Sequence, residues 1–464
     1  MTAATPAPLG NPLLLLWEDM RADRAAEGPW PPGETRFSMA RTRHFEHDPL
    51  GLLVSSYERY GPVFTLKIFH HNAVFMLGPE ANHYMLVSHA SNFRWREGHF
   101  RDLIPLLGDG LLTIDGQHHR THRKLMLPAF HRERIESATV AMREEVDRAL
   151  ETMTPGAVIN LYDWTRSVAL RVALRALFGF DPDVAQAGGL NAAAEFESAL
   201  SFYSRDYLLQ ILRGPGSPYA KMLHSRRRLD RLIYAEIGRR RSSGERGEDI
   251  LSLLLDAEDE DGTSLGDRQI RDEVMTLLFA GHDTTTSTVA FMFYELARNP
   301  ELLDDPGINV EMILDETLRK YPPAYIGPRR SVEPFEFNGH QVPGNAHVEY
   351  CSWASHHLPD VWSEPEQFRP DRFTEENKAK LPRGAYVPFG GGSRTCIGMR
   401  FGQAEIAIIA RSILERYRLD LMPGYELEIR HAPTISPRQG MPMRVRAAEP
   451  AAVLGSIRAA SPSS

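Results

Sequence analysis

Cysteine is nearly missing from this chain, which has 2 among its 464 residues. Two thiols make at most one disulfide, and they cannot supply the four ligands of an iron–sulfur cluster or a four-cysteine zinc site. They suit a reducing compartment. Lysine is scarce as well: of the 53 Lys and Arg residues, only positions 67, 124, 221, 320, 378 and 380 are lysine. Runs such as Arg226-Arg227-Arg228 and Arg239-Arg240-Arg241 therefore read as compositional bias on solvated faces. Positive charge is not in excess, since 61 acidic residues against 53 basic ones leave a formal charge of −8. That balance gives no electrostatic footing for nucleic acid. Long apolar runs are also missing. The cluster Leu13 to Trp17 is far shorter than the ~20 residues that cross a bilayer, and no basic leader with a cleavage site marks a secretory signal. The expectation is a cytoplasmic chain with no membrane anchor.

What is present is ordinary for a globular protein: 42% hydrophobic and 25% charged residues, with 35 Gly and 33 Pro. At roughly 150 residues per domain the length alone suggests about three domains. A charged leader over residues 1–30 runs into the rigid segment Pro29-Trp30-Pro31-Pro32-Gly33, and a tail over 447–464 is rich in Ala, Pro and Ser. Helical apolar spacing covers Glu144 to Met153, Asp163 to Phe178 and Ser225 to Gly238. Strand-like runs occupy 62–68 and 73–76. Phe335 to Val342 reads as a hairpin, because Asn338-Gly339 supplies the positive φ angles of a type I′ turn. The fold class predicted from these patterns is mainly α with a small β region.

From Asp267 to Arg298 the spacing predicts one helix of about 45 Å, apolar over much of its surface and so central and buried. Its middle breaks helical preferences: Ala280-Gly281-His282-Asp283-Thr284-Thr285-Thr286-Ser287-Thr288. Gly and clustered Thr are unfavourable in a helix interior. One reading is a kinked helix whose Thr hydroxyls bond the preceding turn. The other is a site, where an acid beside a hydroxyl relays protons and a glycine leaves room for a ligand.

A second irregular stretch is Pro388-Phe389-Gly390-Gly391-Gly392-Ser393-Arg394-Thr395-Cys396-Ile397-Gly398, followed by a helical pattern from Met399 to Arg416. It lacks the Lys-Ser/Thr ending of a phosphate loop. A lone Cys is usually a small buried hydrophobe. Here glycine N–H groups, a helix N-terminus and Arg394 would all stabilise a thiolate, whether as nucleophile or as metal ligand.

The spacing Phe389-x-x-Gly392-x-Arg394-x-Cys396-x-Gly398 resembles the haem-binding signature of the cytochrome P-450 family. Gly281-x-Asp283-Thr284-Thr285 resembles its oxygen-activating motif. Glu316-Thr317-Leu318-Arg319 and Phe368-Arg369-Pro370-Asp371-Arg372-Phe373 follow in the family's order, as do Asp115-Gly116, His119-x-x-x-Arg123 and Pro128-Ala129-Phe130. The resemblance implies a single large domain, here over residues 31–446, with haem b between the long central helix and the cysteine loop. It implies a monooxygenase that takes O2, two electrons and two protons to hydroxylate or epoxidise a hydrophobic small molecule.

By that resemblance Cys396 is the axial ligand of haem iron, beside Phe389, Gly392 and Gly398, the two glycines allowing close approach to the porphyrin. His119, Arg123, Arg329 and Arg394 would meet the haem propionates. Arg330 is the competing choice for Arg329, and His118 with His122 could instead chelate a metal. Asp283 and Thr284 form the acid–alcohol pair, while Glu316, Arg319 and Arg372 brace the fold ahead of the haem loop. Phe202, Leu277, Ala280, Ile326 and Ile435 fall on segments that line the family's substrate pocket, with Tyr207, Leu208 and Ile211 in the same aromatic stretch as Phe202. Cys351, in a strand-like run, reads as structural. No flavin or iron–sulfur segment is left over, so electrons would come from NAD(P)H through a separate ferredoxin or flavodoxin and its reductase, docking near Arg120, Lys124 and Arg400 on a monomer. Two rivals stand beside this reading: a cysteine-nucleophile hydrolase, and a haem-binding sensor without turnover.

Overall fold

The computed structural model describes residues 12–26, 29–98, 102–183, 192–203, 207–210, 212–258, 262 and 264–448. Residues 1–11, Ile211 and the tail from 449 onward lie outside the described residues, as do the side chains of Tyr207 and Leu208. The three domains of the length prior give way to one, mainly helical with a small β region.

The central helix runs from Asp267 to Arg298, the span its apolar spacing predicts. Its start is set by Gly266, whose N–H donates to the Gln269 side chain at 2.8 Å, and Asn299-Pro300 ends it. Nearly every residue from Ile270 to Phe279 is buried, charged ones included, so this helix is the axis of the molecule. Three other helices set the site against it. Leu161–Val172 packs along it, Val310–Lys320 lies beside its C-terminal half, and Met399–Arg416 follows the cysteine loop. Val289, Met292, Phe293 and Leu296 share one apolar cluster with Ile313, Leu318, Ile409 and Ile413. At roughly 25 cal/mol per Å² of apolar surface, this cluster is the main source of helix–helix stability.

The β portion is dominated by a six-stranded sheet, with one three-stranded and two two-stranded sheets beside it among the described residues. The six strands are β1 (Gly33–Glu34), β2 (Val63–Ile68), β3 (His71–Met76), β4 (Phe93–Arg94), β5 (Ile326–Ser331) and β8 (His347–Cys351), in the order β1-β2-β3-β8-β5-β4. All of β3 is buried on both faces, which is why it reads as a continuous apolar run rather than an alternation. The hairpin β6 (Phe335–Phe337) to β7 (His340–Val342) turns at Asn338 (φ 49°) and Gly339 (φ 75°), as the Asn-Gly pair requires. The helix Pro12–Ala25 docks on this sheet through buried Asp19, which accepts a hydrogen bond from Arg330 at 2.8 Å and lies 3.3 Å from His347. No helix among the described residues is long and apolar enough to cross a membrane.

Candidate active site

Cys396 stands between the short turn Gly392–Arg394 and the helix Met399–Arg416. Its N–H donates to the Phe389 carbonyl at 2.9 Å, closing the loop into a rigid ring. The thiol keeps free surface, yet its pKa is raised by burial, with the Gly398 N–H and Arg123 pulling it down. A thiol that keeps free surface although burial raises its pKa lines a hollow within the chain rather than the outer surface. Cys351, in contrast, is sealed in the sheet and pushed up to about 12 by burial, as a structural thiol should be.

The glycines of the loop play different parts. Gly392 has φ 60°, and a Cβ there would fall 2.1 Å from the Leu86 carbonyl. Its close neighbour is protein backbone, so this residue anchors the loop to the segment at Leu86. At Gly398 a Cβ would meet only Phe130 at 3.9 Å.

Three cations and a neutral imidazole converge beside the hollow. Arg394 donates to the Asp115 carboxylate at 2.5 Å. Arg329 is 4% exposed and lies flat on the Trp95 ring, 3.3 Å from its centre, with Arg394 over the same ring at 5.0 Å. Burial and Arg394 lower the Arg329 pKa to about 10, against a smaller raising effect of Tyr350. His119 is pressed down to about 3 by burial, Arg394 and Arg123, while Arg123 is lowered by burial and feels Cys396. Among the described residues no carboxylate comes within ion-pair distance of Arg123 or Arg329. Desolvated guanidinium groups without counter-ions, Arg329 buried and Arg123 half-buried, are costly, so this cluster fits a dianionic group such as the two propionates of haem. Arg330 lies on the opposite face of β5, as strand alternation demands, and is spent on Asp19 and Asn345. His118 and His122 do not form a chelate: His122 Nδ1 is 2.7 Å from Glu273 Oε1, and no group of three metal-binding side chains occurs among the described residues.

On the central helix the two members of the acid–alcohol pair diverge. Thr284 is only half-buried and donates to the Ala280 carbonyl at 2.6 Å. Ala280 is exposed in the otherwise enclosed middle of the helix, and a Cβ on Gly281 would meet nothing within 4 Å. This stripe therefore faces open space. Asp283 points the other way, 3.2 Å from Arg166 and 3.4 Å from His282 Nδ1. Burial raises its pKa, but His282 and Arg166 outweigh burial and hold it below the usual carboxylate value. His282 Nε2 is in turn 3.1 Å from Glu197, whose side chain is 36% exposed and reaches solvent. Sequence reasoning did not find Arg166 and Glu197 as partners of this turn, because they come from separate helices, and the neighbouring His282 on the same helix gave no sign that it joins Asp283 to Glu197. It also missed Glu405, packed under Thr285 at 3.2 Å and pushed up to about 8 by burial.

Glu316 and Arg319 form a bidentate pair at 2.7 and 2.9 Å with no exposure on either side chain. Arg372 adds a contact at 3.4 Å. Arg319 also donates to the His356 carbonyl at 2.9 Å, and His356 Nε2 accepts the Val387 N–H at 3.0 Å. The trio thus grips the chain just ahead of the cysteine loop. Of the pocket residues, Ala280 and Ile326 keep free surface and Leu277 is 7% exposed. Phe202 packs into a core cluster against Tyr203 and Tyr219. Ile435 differs from expectation: it is fully enclosed with Leu53, Phe64 and Phe291 and has no surface to offer a ligand.

A desolvated thiol, cations without carboxylate partners among the described residues and a hydroxyl-bearing stripe that faces open space belong together in one known architecture. The family model for cytochrome P-450 matches residues 29–305 and 310–439. The chain belongs to the cytochrome P-450 family. It is 32% identical over 355 residues to the cyclooctat-9-en-7-ol 5-monooxygenase of Streptomyces melanosporofaciens, covering 71% of this chain and 77% of that protein. It is 28% identical over 344 residues to the pentalenene oxygenase of Streptomyces avermitilis, covering 69% and 76%. The retinoic acid-bound structure of cyanobacterial CYP120A1 superposes with a TM-score of 0.80 at 25% identity, over 91% of this chain and 100% of that one. This P-450 is a haem-dependent monooxygenase of hydrophobic molecules. Neither the hydrolase nor the turnover-free sensor accounts for these relationships.

Proposed function

We propose that this P-450 holds haem b through Cys396, with His119, Arg123, Arg329 and Arg394 meeting the propionates, and oxygenates a terpenoid-like, largely hydrocarbon small molecule. The observation that carries the haem assignment is the pair of cations, half-buried Arg123 and buried Arg329, left without carboxylates among the described residues beside an open but desolvated thiol. A thiolate-ligated haem supplies reductive activation of dioxygen. The chain's own residues then divide the remaining work. Ala280, Gly281 and Thr284 leave a polar notch in an apolar wall, and the Thr284 hydroxyl can turn from the Ala280 carbonyl to donate into that notch. Asp283, Arg166, His282 and Glu197 form a buried charged chain from Thr284's own turn to solvent, able to hold and hand on protons. The apolar character of Leu277, Ala280 and Ile326, together with the named activities of the two Streptomyces relatives, supports a hydrocarbon-rich substrate. In this reading the electrons come from NAD(P)H through a separate ferredoxin or flavodoxin with its reductase, and the protein works in the cytoplasm.

Reduced protein under carbon monoxide should absorb near ~450 nm, the mark of thiolate ligation. Folded, haem-loaded protein without that band overturns the assignment. Cyclic terpene alkenes and alcohols should shift the haem spin state more strongly than fatty acids of equal size. Thr284→Ala should raise the share of reducing equivalents lost as hydrogen peroxide, and unchanged coupling removes Thr284 from its role.

A further inference from the structure

The segment from Ile104 to Asp115 is tied down by charges that the reaction does not use. Arg271, 1% exposed, donates to the carbonyls of Leu107 and Leu106 at 3.1 and 3.2 Å, closing the C-terminal end of the short helix Ile104–Leu107. Asp272 accepts the Asp109 N–H at 2.9 Å with one oxygen and Arg271 at 2.8 Å with the other. Glu273, with no exposure, accepts the Leu111 N–H at 2.9 Å with one oxygen while His122 approaches the other at 2.7 Å. Three consecutive residues of the central helix thus hold four backbone groups of one segment. Two glycines make the approach possible: a Cβ on Gly108 (φ 80°) would fall 2.2 Å from Asp272 Oδ1, and one on Gly110 would fall 2.1 Å from Thr276 Oγ1.

The place of this clamp gives it a consequence. Thr276, Ala280 and Thr284 lie four residues apart on one helical stripe, so the seat of Gly110 is one turn, about 6 Å, from Ala280 and two turns from Thr284. The far end of the segment, at Ile114 and Asp115, binds Arg394. Leu112, in its middle, is only half-buried. The segment therefore forms a wall of the open space between the Thr284 stripe and the cysteine loop.

We propose that Asp272 and Glu273 are specificity-determining positioning residues: they lock residues 104–113 to the central helix as a fixed wall, and so limit the size of molecule admitted over the Thr284 stripe. The proposal rests on the haem reading only for its optical probe. Asp272→Asn and Glu273→Gln keep side-chain shape but turn one of two required acceptors into a donor, facing Arg271 or the Asp109 N–H in the first and His122 or the Leu111 N–H in the second. In haem-loaded protein, association of imidazole and of the bulkier 4-phenylimidazole and clotrimazole is followed by the shift in haem absorption. Both variants should raise the clotrimazole rate relative to imidazole by about tenfold, the opening expected from one lost hydrogen bond to a charged group. Amide hydrogen exchange should show Asp109 and Leu111 protected in the unmodified protein and released in the variants. An unchanged rate ratio, or fast exchange at both amides before mutation, overturns the clamp. If imidazole itself gives no shift, the haem reading fails instead, and the exchange pattern still decides the clamp.

Discussion

Glu405 lies under the central helix with 3% of its surface exposed, and among the described residues it receives only the Thr285 hydroxyl and leaves its second oxygen without a partner. Burial pushes its pKa up to about 8, against smaller lowering effects of Thr285 and His282, so it is protonated at neutral pH. The unfolded chain would release that proton near the ordinary Glu value, about 4.3. Between these two values the folded state binds more protons than the unfolded state, so stability falls as pH rises and levels off above about 8. Glu405→Gln should abolish that slope. Its melting temperature should match the unmodified protein at pH 5 and exceed it at pH 8, and a difference of opposite sign removes the neutral-acid assignment. Glu197 behaves in the other direction. Burial raises its pKa, but His282 and Arg166 bring it down to about 2, so its contribution is full above the unfolded value and is lost as pH falls toward 2. Asp283 and Thr284 were legible as a motif in the sequence. Their opposite orientations were not, because a helix register gives spacing but not the neighbours that Arg166 and Glu197 bring from distant helices.

Among the elements, the most demanding is the join between Val310–Lys320 and the chain leading to Cys396. Glu316 and Arg319 are three residues apart, an arrangement that on a surface contributes well under ~1 kcal/mol. Here both are fully enclosed, and Arg319 spends its remaining donors on the His356 and Pro365 carbonyls, at 2.9 and 2.8 Å. Removing one partner from such a pair leaves an uncompensated buried charge and costs about 3–5 kcal/mol. Arg319→Leu should therefore lower the melting temperature sharply and speed haem loss, since His356 would no longer be held to orient Val387. Thermal denaturation and haem transfer to a scavenger protein measure both; normal haem retention in a folded variant would separate the trio from the loop. The pair itself was readable from the sequence, because Pro322-Pro323 ends the helix. The His356 link was not, since nothing in a run such as Ser355-His356-His357 distinguishes a bridging imidazole from a core one. Helix bounds fared better. Asp267–Arg298 and Met399–Arg416 carry apolar periodicity over many turns between clear stops, and tertiary contacts only reinforce it.

For the whole molecule, the charge of −8 sets how an electron carrier can approach. An acidic ferredoxin is repelled by the net charge, but at physiological salt that repulsion is screened beyond about 8 Å. Local charge then decides where it docks. Arg120 is exposed one turn from Arg123, which senses the Cys396 thiol, and Arg400 is exposed in the first turn after the cysteine loop. Neither holds a carboxylate partner among the described residues: Arg120 Nε donates only to the Gln117 side chain, at 3.0 Å. Free cations at that place favour an acidic surface over a neutral one. Arg120→Glu and Arg400→Glu should each slow reduction by an acidic [2Fe–2S] ferredoxin, and the loss should shrink as salt is added. The carbon monoxide band and the melting temperature should stay as they are, because neither residue touches the hollow. If both reversals leave the rate and its salt dependence unchanged, electrons enter from another face, and the acidity of the whole chain rather than this patch governs the encounter.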